Sequence, residues 1–291
     1  MAKAGTLEVA FGFFSPTGPW DTRVARAFRR HYTVSKTGAF TVGGSIEITS
    51  AKAFLERYAV GGRFFRQLRL LGADLREANL SGLRVAGGEF VGSDLYSANL
   101  FEADLEFADF RRCNLIGADL SRSQLTECLF AAAFMTRARL VGACLTEVDL
   151  SEANLGGAEL RRSRIEANLA GANLCRAILS ECDLSGSFGF GANFSHAVLQ
   201  RAKLTGCKLR RTHFEGADLS GAEMAGCDLR QSNFTRATLR GADLSGSDLG
   251  GADLTRADLT GTNLERTNLA GANLAGTEIH PGSLALGLRG E

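Results

Sequence analysis

GADLSGSDLGGADLTRADL, residues 241–259, contains the rule that the chain follows from Leu70 to Leu284. A leucine returns every fifth residue. Two places before each leucine stands a small residue, and Asp or Asn fills the place between. GADLREANL at 72–80 and RTNLAGANL at 266–274 follow the same cycle. A large apolar residue recurs at 70, 75, 80 and each fifth position to Ile165; the phase then slips by one, and the cycle runs on from Leu169 to Leu284. This gives 20 centres before the slip and 24 after it, of which only Gly189 lacks a side chain.

A repeat of this kind decides the architecture ahead of local propensity. On an α-helix, centres five apart would rotate by about 140°, so no face would collect them. On a continuous strand they would alternate between faces. The chain must therefore turn after every short segment, with the centre and its small companion both pointing inward. The expected fold is an all-β solenoid.

The motif A-(D/N)-L-x-x, in near-continuous copies across about three quarters of the chain, resembles the pentapeptide-repeat family. That resemblance implies a right-handed, quadrilateral β-helix with four pentapeptides per coil. Phenylalanine spacing supports the count of four independently. Phe occupies centres 90, 110 and 130, and again 194, 214 and 234, so rings 20 residues apart stack coil upon coil. The 44 cycles then make about 11 coils. At roughly 4.8 Å per coil, a strand spacing, the solenoid is on the order of 50 Å long. The same register sets Asp243 against Asn263, Asp248 against Asn268 and Asp253 against Asn273. It places Arg139 between Asp119 and Glu159, and Lys203 between Asp183 and Glu223. Short Asx side chains are expected to hydrogen-bond the local backbone at each corner.

Three domains or segments follow: a non-repeating region at 1–65, the repeat at 66–284, and a tail at 285–291 that caps the last coil or makes a dimer contact. The net charge is +1, unevenly divided. Residues 1–69 carry 11 Lys/Arg against 4 Asp/Glu, a net of +7, whereas 70–291 carry 22 against 28, a net of −6. The N-terminal region reads as a small α/β domain. TLEVAFGFF (6–14) is a candidate strand, and a helix over roughly 22–32 presents Arg23, Arg26, Arg29 and Arg30. GAFTVGGSIEITS (38–50) suggests one or two strands, and AKAFLERYAV (51–60) a helix ending at Gly61-Gly62. Residues 43–70, with Gly61, Gly62 and Arg63, also resemble part of the small phycobilisome linker domain.

Catalytic, cofactor-binding and metal-ligating sets are not found in the sequence. His31, His196, His213 and His280 are scattered, the seven Cys form no CxxC pair, and neither a phosphate loop nor a GxSxG elbow occurs. Cys113, Cys128, Cys182, Cys207 and Cys227 take the small inward position, where a free thiol packs as a hydrophobe. The absence of a clear leader and of any apolar run long enough to span a bilayer points to the cytoplasm. Outward positions are mostly polar, and the exceptions mark a partner surface. Tyr96 and Ile116 should share one face, and Phe101 and Val141 the next, with Phe107 beyond. Leu129 and Phe134 take Asp/Asn positions, as do Ile178 and Val198, which should be neighbours. Near Gly189, GSFGFGANF (186–194) suggests a bulge or small loop.

The expected role is a non-catalytic scaffold or linker. It would bind protein partners, acidic and part of a larger assembly, through its flank and its basic head. The second resemblance implies a light-harvesting phycobilisome as that assembly. Four arginines without a DNA-binding signature do not argue for nucleic acid. The alternative comes from the pentapeptide-repeat family, some of whose members mimic duplex DNA and bind gyrase. That role requires a strongly negative surface, which Arg111, Arg112, Arg161, Arg162, Arg210 and Arg211 interrupt.

Overall fold

The structure, a computed structural model, describes residues 48–65 and 68–279. From Phe64 to Glu278 the backbone pairs with itself in parallel, one coil against the next. Phe64 pairs with Arg84, Arg69 with Glu89, Asp74 with Asp94 and Asn79 with Asn99, and each pairing continues at the same interval. Four ladders result, one per side. They are named here by their first residues: ladder 1 from Phe64, ladder 2 from Arg69, ladder 3 from Asp74 and ladder 4 from Asn79. Each corner takes the number of the ladder it follows.

The corners explain the five-residue cycle. After each centre the chain makes a hydrogen-bonded turn, as where Ala78 N–H donates to Leu75 O at 3.2 Å and Ala98 N–H to Leu95 O at 2.9 Å. The residue two after the centre takes left-handed φ, for example +56° at Glu77 and +59° at Gly72. A turn with positive φ at its third position favours Gly, but many of these corners carry Arg or Glu instead. The Asx residue compensates: Asp94 Oδ1 accepts the Tyr96 N–H at 3.0 Å, and Asp119 Oδ1 accepts that of Ser121 at 2.9 Å. As expected from the sequence, the carboxylate-rich ladder stabilises its own corners. Asparagines add a second bond along the ladder, as where Asn263 Nδ2 donates to Asp243 Oδ1 at 3.0 Å.

Inside, the centres are almost wholly buried. Phe90, Phe110 and Phe130 stack with centroids 4.7 and 5.2 Å apart. Phe194, Phe214 and Phe234 do the same at 5.2 and 4.8 Å. Each fully buried side chain contributes roughly 1.5–3 kcal/mol of hydrophobic stabilisation, an upper estimate because the unfolded chain is itself partly compact. Small polar residues beside the centres are satisfied by the coil before. Cys113 Sγ donates to Phe90 O at 2.8 Å, Cys128 Sγ to Leu105 O at 3.0 Å and Ser232 Oγ to Leu209 O at 2.9 Å.

The phase slip appears as two strands, β1 (Cys144–Asp149) and β2 (Arg164–Asn168). Thr146 pairs with Glu166 and Val148 with Ala167, so Glu147 bulges out and the shorter segment runs straight through its corner. Pairing beyond the slip reaches the new phase without a break: Asn154 with Asn173, then Asn168 with Phe188. Around Gly189 the expected bulge is not formed. Phe188 pairs with Lys208, and Gly189 N–H donates to Lys208 O at 2.9 Å. The missing side chain is explained by crowding, since a Cβ there would meet Leu169 Cβ at 2.8 Å.

A helix, α1 (Ala51–Ala59), lies against the first coil. Ser50 caps its start, and Gly61, at φ +97°, ends it. Buried Phe54 meets Phe65 edge-on at 4.9 Å, and Tyr58 Oη donates to Ser81 O at 2.5 Å. Ile48 pairs with Leu68 beyond the helix, so backbone that would otherwise be an open edge is covered.

Two outcomes are expected. Phe110→Ala should destabilise the native state by about 3–5 kcal/mol in urea titration, because its ring fills a stack that cannot collapse. Burial pushes the Cys113 thiol up to about 12 and raises Cys128 and Cys182 as well. Native-state thiol labelling should therefore reach only Cys144 and Cys175, which are partly exposed, until denaturant is added.

Candidate protein-interaction surface

The solenoid's outer surface is built by the ladders and corners, so a residue's place follows from its register. Tyr96 and Ile116 sit at corner 3 on successive coils, and the Ser97 N–H donates to Ile116 O at 2.9 Å. Phe134 lies in ladder 3 between Asn114 and Asn154. Tyr96 is 43% exposed and Phe134 52%. Ile178 and Val198, half-buried, pair directly in ladder 4 on the adjoining side. Phe101 and Val141 flank Ser121 at corner 4; the Arg122 guanidinium lies 5.6 Å from the Phe101 ring centroid. The structure thus gathers these residues on ladders 3 and 4 and the corners that follow them.

Two of the residues singled out from sequence do not join them. Phe107, at corner 1, is 7% exposed, and Leu129, in ladder 2, is 6% exposed. Their register is the one expected, with Leu129 between Asp109 and Asp149. Their accessibility is not, because coverage of an outer position depends on what neighbouring groups extend over it. Asp109 and Glu127 nearby are also buried. Arg23, Arg26, Arg29 and Arg30 lie outside the described residues, as do the strand at 6–14, the helix near 22–32 and the tail at 285–291.

Charge is distributed unevenly around the coil. Corner 1 carries Glu106, Glu127, Glu147 and Glu166 on successive coils. Corner 3, diagonally opposite, carries Arg137, Arg176, His196, Arg236 and Arg256 at its left-handed position, together with the carboxylates Glu77 and Glu215. Ladder 3 has no carboxylate from Asn114 through Asn233. Several arginines elsewhere are paired: Arg139 with Asp119 at 3.4 Å, Arg162 with Glu181 at 2.8 Å and Arg210 with Asp228 at 2.6 Å. Such exposed pairs contribute little to stability, and their effect here is to neutralise sides 2 and 4.

Further apolar groups appear that the repeat pattern did not single out as a surface. Phe188 and Phe190 are 52% and 56% exposed on side 2, with the Arg211 guanidinium 5.3 Å from the Phe190 centroid. The signal was the inverted order, aromatic residues flanking a glycine where a centre belongs. Phe64 and Leu71 are exposed near the first coil. Among the described residues no group of His, Cys, Asp and Glu is placed to hold a metal, and no helix is long and apolar enough to cross a membrane.

The Asx turns have a measurable titration signature. Hydrogen bonds from the Arg76 guanidinium and backbone N–H hold the Asp74 carboxyl down from 3.8 to about 2. The folded value lies below the unfolded one. The stabilisation is therefore complete above the ordinary carboxylate range and is lost as pH falls through about 2. Carboxyl NMR titration should place the Asp74 midpoint near 2, and Arg76→Ala should move it back toward 3.8.

Comparison with known proteins agrees with this geometry. The family model described as pentapeptide repeats matches in eight copies, at residues 84–115, 93–131, 123–166, 165–188, 190–216, 197–236, 212–251 and 247–280. Among solved structures, HetL from the cyanobacterium Nostoc sp. strain PCC 7120 is described as a pentapeptide repeat protein involved in heterocyst differentiation regulation. It is 33% identical over 79% of this chain and 95% of its own, with a TM-score of 0.39. A protein of the Arabidopsis thaliana thylakoid lumen is 26% identical over 34% of this chain and 63% of its own, with a TM-score of 0.24. QnrB1, a plasmid-mediated fluoroquinolone resistance protein, is 22% identical over 76% and 95%, with a TM-score of 0.38. No curated protein sequence matches. The repeat model covers more than half of the chain, and so the chain belongs to the pentapeptide-repeat family, whose members form right-handed quadrilateral β-helices.

Proposed function

We propose that this chain is a non-catalytic scaffold that binds protein partners along one flank of a β-helix of about 11 coils. One observation carries the reading: Tyr96, Ile116 and Phe134 lie on consecutive coils at one edge, next to the Ile178–Val198 pair. Isolated exposed apolar groups are ordinary on any surface, whereas a row of them on a rigid scaffold marks an interface. A solenoid filled by its own side chains has no deep pocket for chemistry, and the family matched is defined by its repeat rather than by a reaction. In this reading residues 1–65 form a basic α/β docking domain and the C-terminal tail caps the last coil or joins two copies. The chain works in the cytoplasm as part of a larger assembly with acidic subunits, of which a phycobilisome is one candidate.

HetL is described as acting in the regulation of differentiation, a role that fits recognition rather than catalysis. The alternative, a DNA-like surface directed at gyrase, needs contiguous negative charge. Here Arg139 stands between Asp119 and Glu159 in ladder 4, and corner 3 is basic.

The test is affinity capture with the wild-type chain and a Tyr96→Ser, Phe134→Asn double variant. Asn is the ordinary ladder residue on both sides of Phe134, so the fold and thermal midpoint should be unchanged. Partners retained by the wild type should be lost by the variant. An identical captured set with both proteins would refute the flank as the binding surface.

A further inference from the structure

Corner 3 contains a notch beside the apolar row, and its chemistry specifies what it accepts. Gly156 and Gly157 form the floor, and Gly156 stands where every other described coil carries a side chain. Arg137 stands one coil before and Arg176 one coil after, both exposed and both left-handed, at φ +57° and +59°. The backbone knits these coils together: Arg137 N–H donates to Gly156 O at 3.0 Å, and Gly157 N–H to Cys175 O at 2.9 Å. The two guanidinium stems are thus anchored about two strand spacings apart, roughly 10 Å. The notch is an open groove of about 370 Å³, and its lining, completed by Thr136, Asn154, Asn173 and Cys175, contains no carboxylate.

Two observations point to an anion. Neither Arg137 nor Arg176 has an ion-pair partner among the described residues, whereas Arg139, Arg161 and Arg162 on the adjoining side each do. Asn154 belongs to the floor: its Oδ1 accepts the Gly156 N–H and Asn173 Nδ2, each at 3.1 Å, and the ladder residue below it is Phe134. Finally, the same Phe134 is half exposed, so the cationic notch and an aromatic platform adjoin.

We infer that the notch between Arg137 and Arg176 receives a carboxylate of an acidic protein segment, whose neighbouring apolar side chain rests on Phe134. A single strand of nucleic acid is the other polyanion that pairs cations with aromatic groups, but it would need a continuous basic track with successive stacking platforms. Here one exposed ring stands by one notch, and Glu215 interrupts the same corner farther along. A discrete carboxylate beside an apolar anchor fits that arrangement better. Arginine pairs of this kind bind carboxylates by charge-assisted hydrogen bonds with defined geometry. The inference deepens the flank reading and rests on it.

The experiment pans a displayed short-peptide library on the full chain and measures the leading synthetic peptide by fluorescence anisotropy. Recovered peptides should be enriched in Asp or Glu next to an aromatic or aliphatic residue. R137E/R176E should weaken binding about tenfold or more, while R161E/R162E changes it by less than about twofold. The charge-reversed protein will fold, because this chain already carries Glu at the equivalent left-handed position in Glu77, Glu147 and Glu152. A second variant, Gly157→Glu, supplies the notch with its own carboxylate. Its Cβ would lie 3.8 Å from Arg137 Cγ, an ordinary contact, and the left-handed φ of +65° is one that Glu77, Glu147 and Glu152 already adopt, so the variant should fold with a modestly lower thermal midpoint and lose the peptide. Recovery of no peptides or of non-acidic ones, or equal binding by R137E/R176E, overturns the inference. So does tighter, notch-dependent binding of oligothymidylate than of any peptide. If the Tyr96→Ser, Phe134→Asn variant loses its partners while R137E/R176E keeps them, the flank reading stands and the notch falls.

Discussion

Each coil must return to a point one strand spacing above where it began, because its N–H and C=O groups pair only with those of the next coil. That closure governs the rest of the structure. It fixes the perimeter at four short segments, so identical positions fall into register along each side. A residue added or removed must be absorbed at once. The slip at β2 shows how: Glu147 bulges, the shorter strand omits its turn, and the following ladders resume as before. Gly189 shows the converse. Losing an inward side chain leaves the register intact, because Leu169 occupies the space where a Cβ would be.

Closure also separates roles by position. Inward residues are committed to packing, and small polar ones among them donate to carbonyls of the preceding coil, as Cys113 and Ser232 do, or of their own, as Ser123 and Ser163 do. Asx residues are committed to their own corners. Only the two corner residues and the outward ladder side chains are free to vary, and the chain's individuality is written there. Glutamates collect at corner 1, whereas arginines are shared among corners 2, 3 and 4. The apolar row of Tyr96, Ile116 and Phe134 lies at ladder 3 and its corner, where the ladder has no carboxylate from Asn114 through Asn233 and Arg137 and Arg176 stand close by, so apolar contact and charge can act on one partner. Such a surface discriminates by sign as well as by shape.

The repeat, the perimeter, the stacked phenylalanines and the order of charges in each ladder were all legible in the amino-acid sequence. A strict period leaves one arithmetic solution for which residues meet, and that solution holds across the slip. The pairing of Ile178 with Val198 followed from the same register, and the helix at Ala51–Ala59 from local sequence ending at Gly61-Gly62. Accessibility was not legible. Phe107 and Leu129 occupy outward positions yet are covered, while Phe188 and Phe190, expected in a bulge, stand exposed in regular ladder and corner positions.

The sequence by itself determined the path of the backbone, because hydrophobic periodicity and the turn chemistry of each pentapeptide are local and repeat without competition. Tertiary structure alone decided which outer side chains are uncovered and which charges remain unpaired. Those properties depend on residues one coil away, some 20 positions distant along the chain. The notch at Gly156 and Gly157 is of this second kind: two glycines and two arginines, each unexceptional in its own pentapeptide, become a single anion-accepting groove when three coils are stacked.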